Sequence, residues 1–363
     1  MEYRGFNVGE QIPELSALDN YRHTLDLVQK ADETGIDGWF LAEHHGNPSF
    51  SLVPSPNLLL AVAAERTSQI GLGALVTVLP YHHPVRVAEE IRMLDVLSEG
   101  RLEIGFGRGA IRHEQGIYGI DRDTTAELFE DGLQLLMRLL TETDVEFENK
   151  WWHGVVPQIV PAAVQVPHPE MWIVAVSASS IDRAARYGAH GAITLTPMEL
   201  SREHVASYEE AWRRYQGDRP RGKFSFGITI AVAESHAEAE RFAREPLEEK
   251  ANIFLQQISD RPKGNDPAYA EHEAGWRDYV DSSFEAMIDK GLVVYGSVDE
   301  AVEQLQRIIA ECGADAITFI PQFVGLDPSF ALRSLELFAT EVIPKADPER
   351  AARVGVGGRT GAA

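Results

Sequence analysis

A chain of 363 residues, 44% hydrophobic and 25% charged, has enough apolar material for a large globular core. Its formal net charge of −23 argues against nucleic acid, whose phosphates are met by clusters of Lys and Arg. No apolar run reaches the ~18 residues needed to span a bilayer, Met1–Gly5 shows no signal-peptide pattern, and the single cysteine, Cys312, precludes an intrachain disulfide, so the expected setting is the cytoplasm with no membrane.

The first strand is read over 3–8. Leu18, Tyr21, Leu25 and Val28 then recur at helical spacing, and Gly35 ends that helix. A second strand covers 38–42, a helix 57–67 and a long apolar strand 70–79. Pro84 marks the first turn of the next helix, with Val87, Ile91 and Leu94 as its buried stripe. The fourth strand covers 101–106 and its helix 124–140. In the second half, strands fall at 172–176, 192–195, 224–233 and 315–320, with helices near 180–187, 201–215, from 237, 298–312 and 330–342.

Eight β–α alternations imply parallel strands joined by helical crossovers. A doubly wound sheet usually carries a glycine fingerprint after its first strand, and Asn7-Val8-Gly9-Glu10 has none. Count and length therefore predict an α/β fold of the (β/α)8 TIM-barrel type, one domain over 1–345 with insertions. Residues 144–170 read as an irregular insertion containing Trp151, Trp152 and His153. Residues 246–297 are too long for a βα loop and carry Phe254, Tyr269, Trp276, Tyr279 and Phe284. A tail over 346–363, rich in Gly, Ala and Arg from Arg350 onward, is expected to be disordered.

Barrel active sites gather at the C-terminal ends of strands, where this chain places several unusual polar residues. Glu43-His44-His45 follows strand two. Successive strand residues face opposite sides, so one histidine can face the mouth as a base or cofactor contact while the other packs outward; two loop or helix-capping histidines fit the spacing equally. Neither His44-His45 nor His82-His83 has the separated spacing of zinc ligands, and no metal site is expected. After strand four, Gly105-Phe106-Gly107-Arg108-Gly109 departs from G-x-G-x-x-G. Close glycines let a ligand approach the backbone and an arginine grips a phosphate by two parallel hydrogen bonds, although a tight turn with a surface arginine reads the same way. Ser177, Ser179 and Ser180 open the helix after strand five. Serines there cap a helix, and the same geometry binds phosphate; with Arg108 from the adjacent strand they form a candidate monophosphate clamp. Thr194, Thr196 and Gln322, at other strand ends, are weaker candidates.

Ala42-Glu43-His44-His45, the stretch 78–86 and Ser98-Glu99-Gly100-Arg101 with Gly105–Gly109 resemble the bacterial luciferase family of flavin-dependent monooxygenases. The resemblance is most specific over 37–115 and continues through 177–188. It implies a TIM barrel that binds FMN as FMNH2 delivered by a separate flavin reductase, activates O2 as a flavin C4a-peroxide and oxidises a small organic substrate, in a homodimer. It implies that His44 handles a proton at the flavin, with Glu43 beside it, and that Arg108, Ser177, Ser179 and Ser180 hold the phosphate. It implies a non-proline cis peptide at Leu75-Val76 beneath the isoalloxazine ring. Gly107 takes a flavin-side position where the luciferases proper have a cysteine, which departs from long-chain aldehyde chemistry and light emission; Val176 stands where the family has a glutamate. Segment 246–297 takes the place of the family's mobile lid, and its aromatic residues, with Trp151 and Trp152, are candidates for an apolar substrate pocket. Three alternatives stay open: an F420-dependent oxidoreductase of the same superfamily, a non-catalytic flavin-binding protein, and a flavin-free barrel acting on a metal or phosphate substrate.

Overall fold

A computed structural model describes residues 1–259 and 282–350, with only the backbone over 250–259. The strands in chain order are β1 (Glu2–Asn7), β2 (Gly38–Leu41), β3 (Gly71–Val78), β4 (Leu102–Gly107), β5 (Val145–Glu148), β6 (His153–Val156), β7 (Glu170–Val174), β8 (His190–Thr194), β9 (Phe224–Ala233), β10 (Val293–Ser297) and β11 (Ala316–Ile320). Eight of them, β1, β2, β3, β4, β7, β8, β9 and β11, pair in parallel and close on themselves. Closure is explicit in the register, since Arg4 faces Gly38 on one side of β1 and Tyr3 faces Ile317 on the other. The expected (β/α)8 barrel is therefore the fold, and closing the sheet leaves no exposed edge around the ring.

Helices α1 (Ala17–Glu33), α2 (Pro56–Arg66), α3 (Pro84–Leu97), α4 (Arg112–Ile117), α5 (Thr125–Thr141), α6 (Ala178–Arg186), α7 (Met198–Gln216) and α8 (His236–Ser259) lie between the strands. Four more follow among the described residues, at Phe284–Asp289, Val298–Glu311, Pro328–Leu337 and Ile343–Ala346. Local chemistry starts them: Ser16 accepts the Asp19 N–H at the head of α1, and Pro84 occupies the first turn of α3. Packing then holds them. α5 buries Leu128, Phe129, Leu133, Leu136 and Leu140 along one stripe, and fully burying one such side chain contributes about 1.5–3 kcal/mol.

Alternate strand residues point outward into this helical layer or inward into the barrel. Inward, Phe40 meets Trp172 edge to face at 5.6 Å between ring centres. The N-terminal end of the barrel is plugged by an ion pair, Arg4 Nε to Glu103 Oε2 at 3.1 Å, with the Trp172 indole N–H donating to the same oxygen at 2.6 Å. Arg4 also lies over the Trp172 ring at 4.8 Å. That sealed floor leaves the C-terminal end as the open one.

Three expectations are revised. Segment 144–170 is not irregular throughout: β5 and β6 pair as an antiparallel hairpin. Segment 246–297 is not all insertion, because α8 continues to Ser259 and β10 adds to the sheet, Val293 pairing with Thr229 beyond the point where β8 ends its pairing with β9 at Gly227. β9 is ten residues long and wholly buried, so its upper half needs a partner, and β10 supplies it. Residues 346–350, expected to belong to the tail, are held by the barrel. Tyr3 Oη donates to Asp347 at 3.3 Å, and Arg350 donates to the Gly35 carbonyl at 2.7 Å and to Asp37 Oδ2 at 3.0 Å. The aromatic residues Tyr269, Trp276 and Tyr279, the side chain of Phe254 and the stretch 351–363 lie outside the described residues.

Candidate active site at the barrel mouth

A cavity opens where the C-terminal ends of the strands converge. Phe6 from β1 and Val8 just after it, Leu75, Val76 and Val78 from β3, and Ile173 and Val174 from β7 with Val176 just after it give it mostly apolar walls. The polar side chains of its lining include His44 after β2, Glu114 on α4, Arg108 after β4, and Ser177, Ser179, Ser180 and Arg183 at the head of α6. The Leu75–Val76 peptide bond in the wall is cis.

The two histidines after β2 part company. His44 lines the cavity, and its Nδ1 lies 3.0 Å from Glu114 Oε1 on α4. The same oxygen accepts the His45 backbone N–H at 3.0 Å, so one buried carboxylate fixes both the ring and the chain that carries it. With Nδ1 donating to that carboxylate, Nε2 is the nitrogen left to take a proton. The Phe50 ring packs against His44 at 4.5 Å between centres.

His45 turns the other way. Its Nε2 donates to Glu43 Oε1 at 2.9 Å, and its Nδ1 accepts from Tyr118 Oη at 3.0 Å. Tyr118 stacks on Tyr81 at 4.6 Å. Glu43 is only 2% exposed and also accepts from His82 Nε2 at 2.7 Å and from the Val78 N–H at 2.9 Å. Burial pushes its carboxyl up, but the hydrogen bonds from His45 and His82 outweigh this and hold it below the ordinary value. The reciprocal effect is seen at His82: burial lowers its pKa, and the Glu43 hydrogen bond and charge carry it above the ordinary imidazole value.

In the same lining, Ser177 caps α6 and shares a capping box with Ser180, whose hydroxyl is 3.0 Å from Ser177 Oγ. Ser179 Oγ lies 3.2 Å from Ser177 Oγ. Arg183, one turn further along α6, is braced by Glu130 Oε2 at 3.1 Å and lies over the Phe129 ring at 5.1 Å. Hydroxyls, helix-end N–H groups and two arginines from two elements make a donor set suited to a phosphate dianion. The serines also bond one another within the turn.

Most of the expected residues thus meet in one cavity: His44, Glu43, Leu75, Val76, Arg108, Ser177, Ser179 and Ser180, with Thr194 on the rim. Gly107 does not join the wall but stands behind Val76, where a Cβ would fall 2.4 Å from Val76 Cγ2. Trp151 and Trp152 are a correction. They line a separate cleft with Tyr81, His82 and Lys150, because the β5–β6 hairpin carries them to the outside of α5. Phe284 is buried against Tyr295 at 4.9 Å, in the packing beside β10, and Gln322 is occupied by His23 at 2.8 Å and by the Phe323 and Leu326 carbonyls. Glu114, Phe50 and Arg183 were not anticipated. Arg183 had a signal in its spacing, one turn after the serines; Glu114 had none, since only tertiary closure brings α4 over the end of β2. Among the described residues no group of three or more His, Cys, Asp or Glu is placed to hold a metal ion.

The site is a cavity at the mouth of a closed barrel, with a carboxylate-braced histidine and a group of hydroxyls and arginines in its lining, and comparison gives the class. Residues 1–316 match the family model of the luciferase-like monooxygenases. The chain belongs to that family and is an enzyme of the oxidoreductase class. It is 28% identical to limonene 1,2-monooxygenase of Rhodococcus erythropolis over 336 residues, 88% of this chain and 80% of that one. It is 29% identical to the oxygenase component of the flavin-dependent trigonelline monooxygenase of Acinetobacter baylyi over 231 residues, 62% of this chain and 63% of that one. Among solved structures, the oxygenating constituent of 3,6-diketocamphane monooxygenase from Pseudomonas putida, in complex with FMN, has a TM-score of 0.79 at 22% identity, covering 95% of this chain and 98% of that one. The coenzyme F420-dependent tetrahydromethanopterin reductase of Methanopyrus kandleri has a TM-score of 0.70 at 17% identity, covering 94% and 98%. At such identities these likenesses are of fold.

Proposed function

We propose that this chain is the oxygenase component of a two-component, FMNH2-dependent monooxygenase that oxidises a small organic substrate with O2 in the cytoplasm. The observation that carries the reading is that one barrel-mouth cavity is lined by mostly apolar walls, by hydroxyls and arginines, and by a carboxylate-braced histidine. That layout fits FMN. Arg108, Arg183 and the serines at the head of α6 hold the phosphate, and Leu75, Val76, Val78 and Val174 face the ring system and keep water from it. Reduced FMN, when bound, supplies the activation of O2. His44, oriented by Glu114, takes or returns a proton at Nε2. Glu43 keeps the end of β2 in place through His45, His82 and Val78.

The name of the trigonelline enzyme, an oxygenase component, supports a separate flavin reductase as partner. Homodimer formation is part of the same reading. Leu58 and Val62 on α2 and Met93, Val96 and Leu97 on α3 are exposed, an apolar face that a second copy would cover.

Titration of the purified chain with FMN, FMNH2 under anaerobic conditions, and F420, followed by mixing with O2, tests the reading. Tight FMNH2 binding with transfer of one oxygen atom of O2 to an organic substrate, the other leaving as water, supports it. Binding of F420 alone moves the chain to deazaflavin chemistry, and flavin occupancy without O2 consumption makes it a carrier.

A further inference from the structure

Glu43 stands in a wall between two hollows. On one side it lines the barrel-mouth cavity. On the other, its Oε1 accepts from His82 Nε2 at 2.7 Å, and His82, with a third of its side chain exposed, lines the outer cleft beside Tyr81, Asp121 and Lys150. If Glu43 served only to fasten the Val78 N–H, a neutral amide would do. Instead a buried charge, costly unless fully bonded, is met by two imidazoles, and one of them reaches an open cleft.

We propose that His82 and Glu43 form a proton relay between the outer cleft and the barrel-mouth cavity, with His82 as its solvent-side port. This rests on the reading that oxygen chemistry takes place in the cavity, since reduction of oxygen consumes protons in a space that must keep out bulk water. The step is balanced and involves no redox change. His82 passes its Nε2 proton to the Glu43 carboxylate, the carboxyl passes a proton to the acceptor in the cavity, and His82 regains one from solvent in the cleft.

The alternative exit through His45 is blocked. Its Nε2–H already points at Glu43 and its Nδ1 accepts the Tyr118 hydroxyl, and burial, then the charges of Glu43 and Glu114, push that phenol up. The groups that face His82 are Glu43 from the end of β2 and Glu90 from α3, with His83, Asp121 and Lys150 around the same cleft. The balance favours imidazolium, so the relay runs with its port charged and fades as pH rises through the raised His82 pKa.

His82→Gln separates relay from scaffold, because glutamine keeps an N–H for Glu43 but cannot titrate. The full chain would be loaded with the anionic reduced flavin, FMNH−, and mixed with O2 without organic substrate, following with an indicator dye the one proton taken up as FMNH− and O2 give FMN and H2O2. The expected result is FMN affinity within twofold of the parent, proton uptake at least about tenfold slower and loss of the basic limb of the pH profile. His82→Ala should be equally slow and recover with added imidazole. Glu90→Gln, half-buried on α3 and able to keep an acceptor for Asn57 and Arg86, should move the basic limb to lower pH. A readout independent of flavin is the solvent exchange of the His45 Nε2 proton by 15N-histidine NMR, which His82→Gln should slow about tenfold. Parent-like proton uptake and exchange in His82→Gln, or an unmoved limb in Glu90→Gln, would overturn the relay. Absence of FMN binding in the parent, with slowed exchange in His82→Gln, would overturn the flavin reading and leave the relay standing.

Discussion

Glu114 Oε1 holds His44 Nδ1 and the His45 backbone N–H at the same distance, 3.0 Å. The carboxylate therefore sets both where the imidazole sits and which of its nitrogens carries hydrogen, as an orienting acid does for a catalytic histidine. His44→Ala should lower turnover by about 10²–10⁴-fold, the usual worth of a positioned acid–base group, with FMN affinity within a few-fold. Glu114→Gln should lower turnover by a smaller factor and shift the pH profile. Unchanged steady-state kinetics in His44→Ala would remove its assigned role.

Arg108 should matter to one part of the cofactor only. Loss of a charged hydrogen-bonding partner costs about 1.5–3 kcal/mol, so Arg108→Ala should weaken FMN binding by roughly 10- to 150-fold. Riboflavin, which has no phosphate, should bind parent and variant alike. Fluorescence titrations with both ligands distinguish a phosphate contact from a general loss of the site.

Gly107 and Val76 share one small volume, with the missing Cβ only 2.4 Å from Val76 Cγ2. Gly107→Ala should destabilise the chain by about 1–3 kcal/mol through overpacking. Combining it with Val76→Ala should recover much of that loss, a coupling readable from denaturant midpoints in a double-mutant cycle. A glycine here is thus matched to valine on the neighbouring strand, and a cysteine would require a smaller partner.

The Glu43–His82 pair has a pH window for stability. Glu43, depressed below its ordinary 4.5, contributes above that value and loses its contribution as pH falls through the folded pKa. His82, raised above its ordinary 6.5, contributes fully below that value and loses its contribution as pH rises through the folded pKa. The stability difference between the parent and His82→Gln should be largest between about pH 5 and 6 and shrink toward pH 8. A difference independent of pH in denaturation would show that the pair is not ionic.

At the other end of the barrel, Glu103 ties Arg4 to the Trp172 indole. Glu103→Leu removes one of the two carboxylates that face the buried guanidinium, leaving Glu2 at 2.7 Å, and should cost about 1.5–3 kcal/mol. Thermal unfolding measures it, with no change expected in ligand binding by the surviving folded protein.

The eight barrel strands were legible as apolar runs because their residues are buried on both sides, and they appear within one or two residues of the expected bounds. β10 was not, because Val293–Ser297 sits in a long segment after seven strands and its role depends on how far β9 outruns β8. The β5–β6 hairpin had a readable sign, Val145 and Phe147 buried and Glu146 and Glu148 exposed in strict alternation. In the site, the strand period placed one of His44 and His45 inward without saying which. The partner that decides it, Glu114, is separated from His44 by 70 positions, and nothing local in the sequence encodes that contact.

The capping box at the head of α6 has one more consequence. Ser177 and Ser180 bond each other's backbone, so the turn is finished before anything docks there. A berth shaped by the fold itself needs no rebuilding between one occupant and the next.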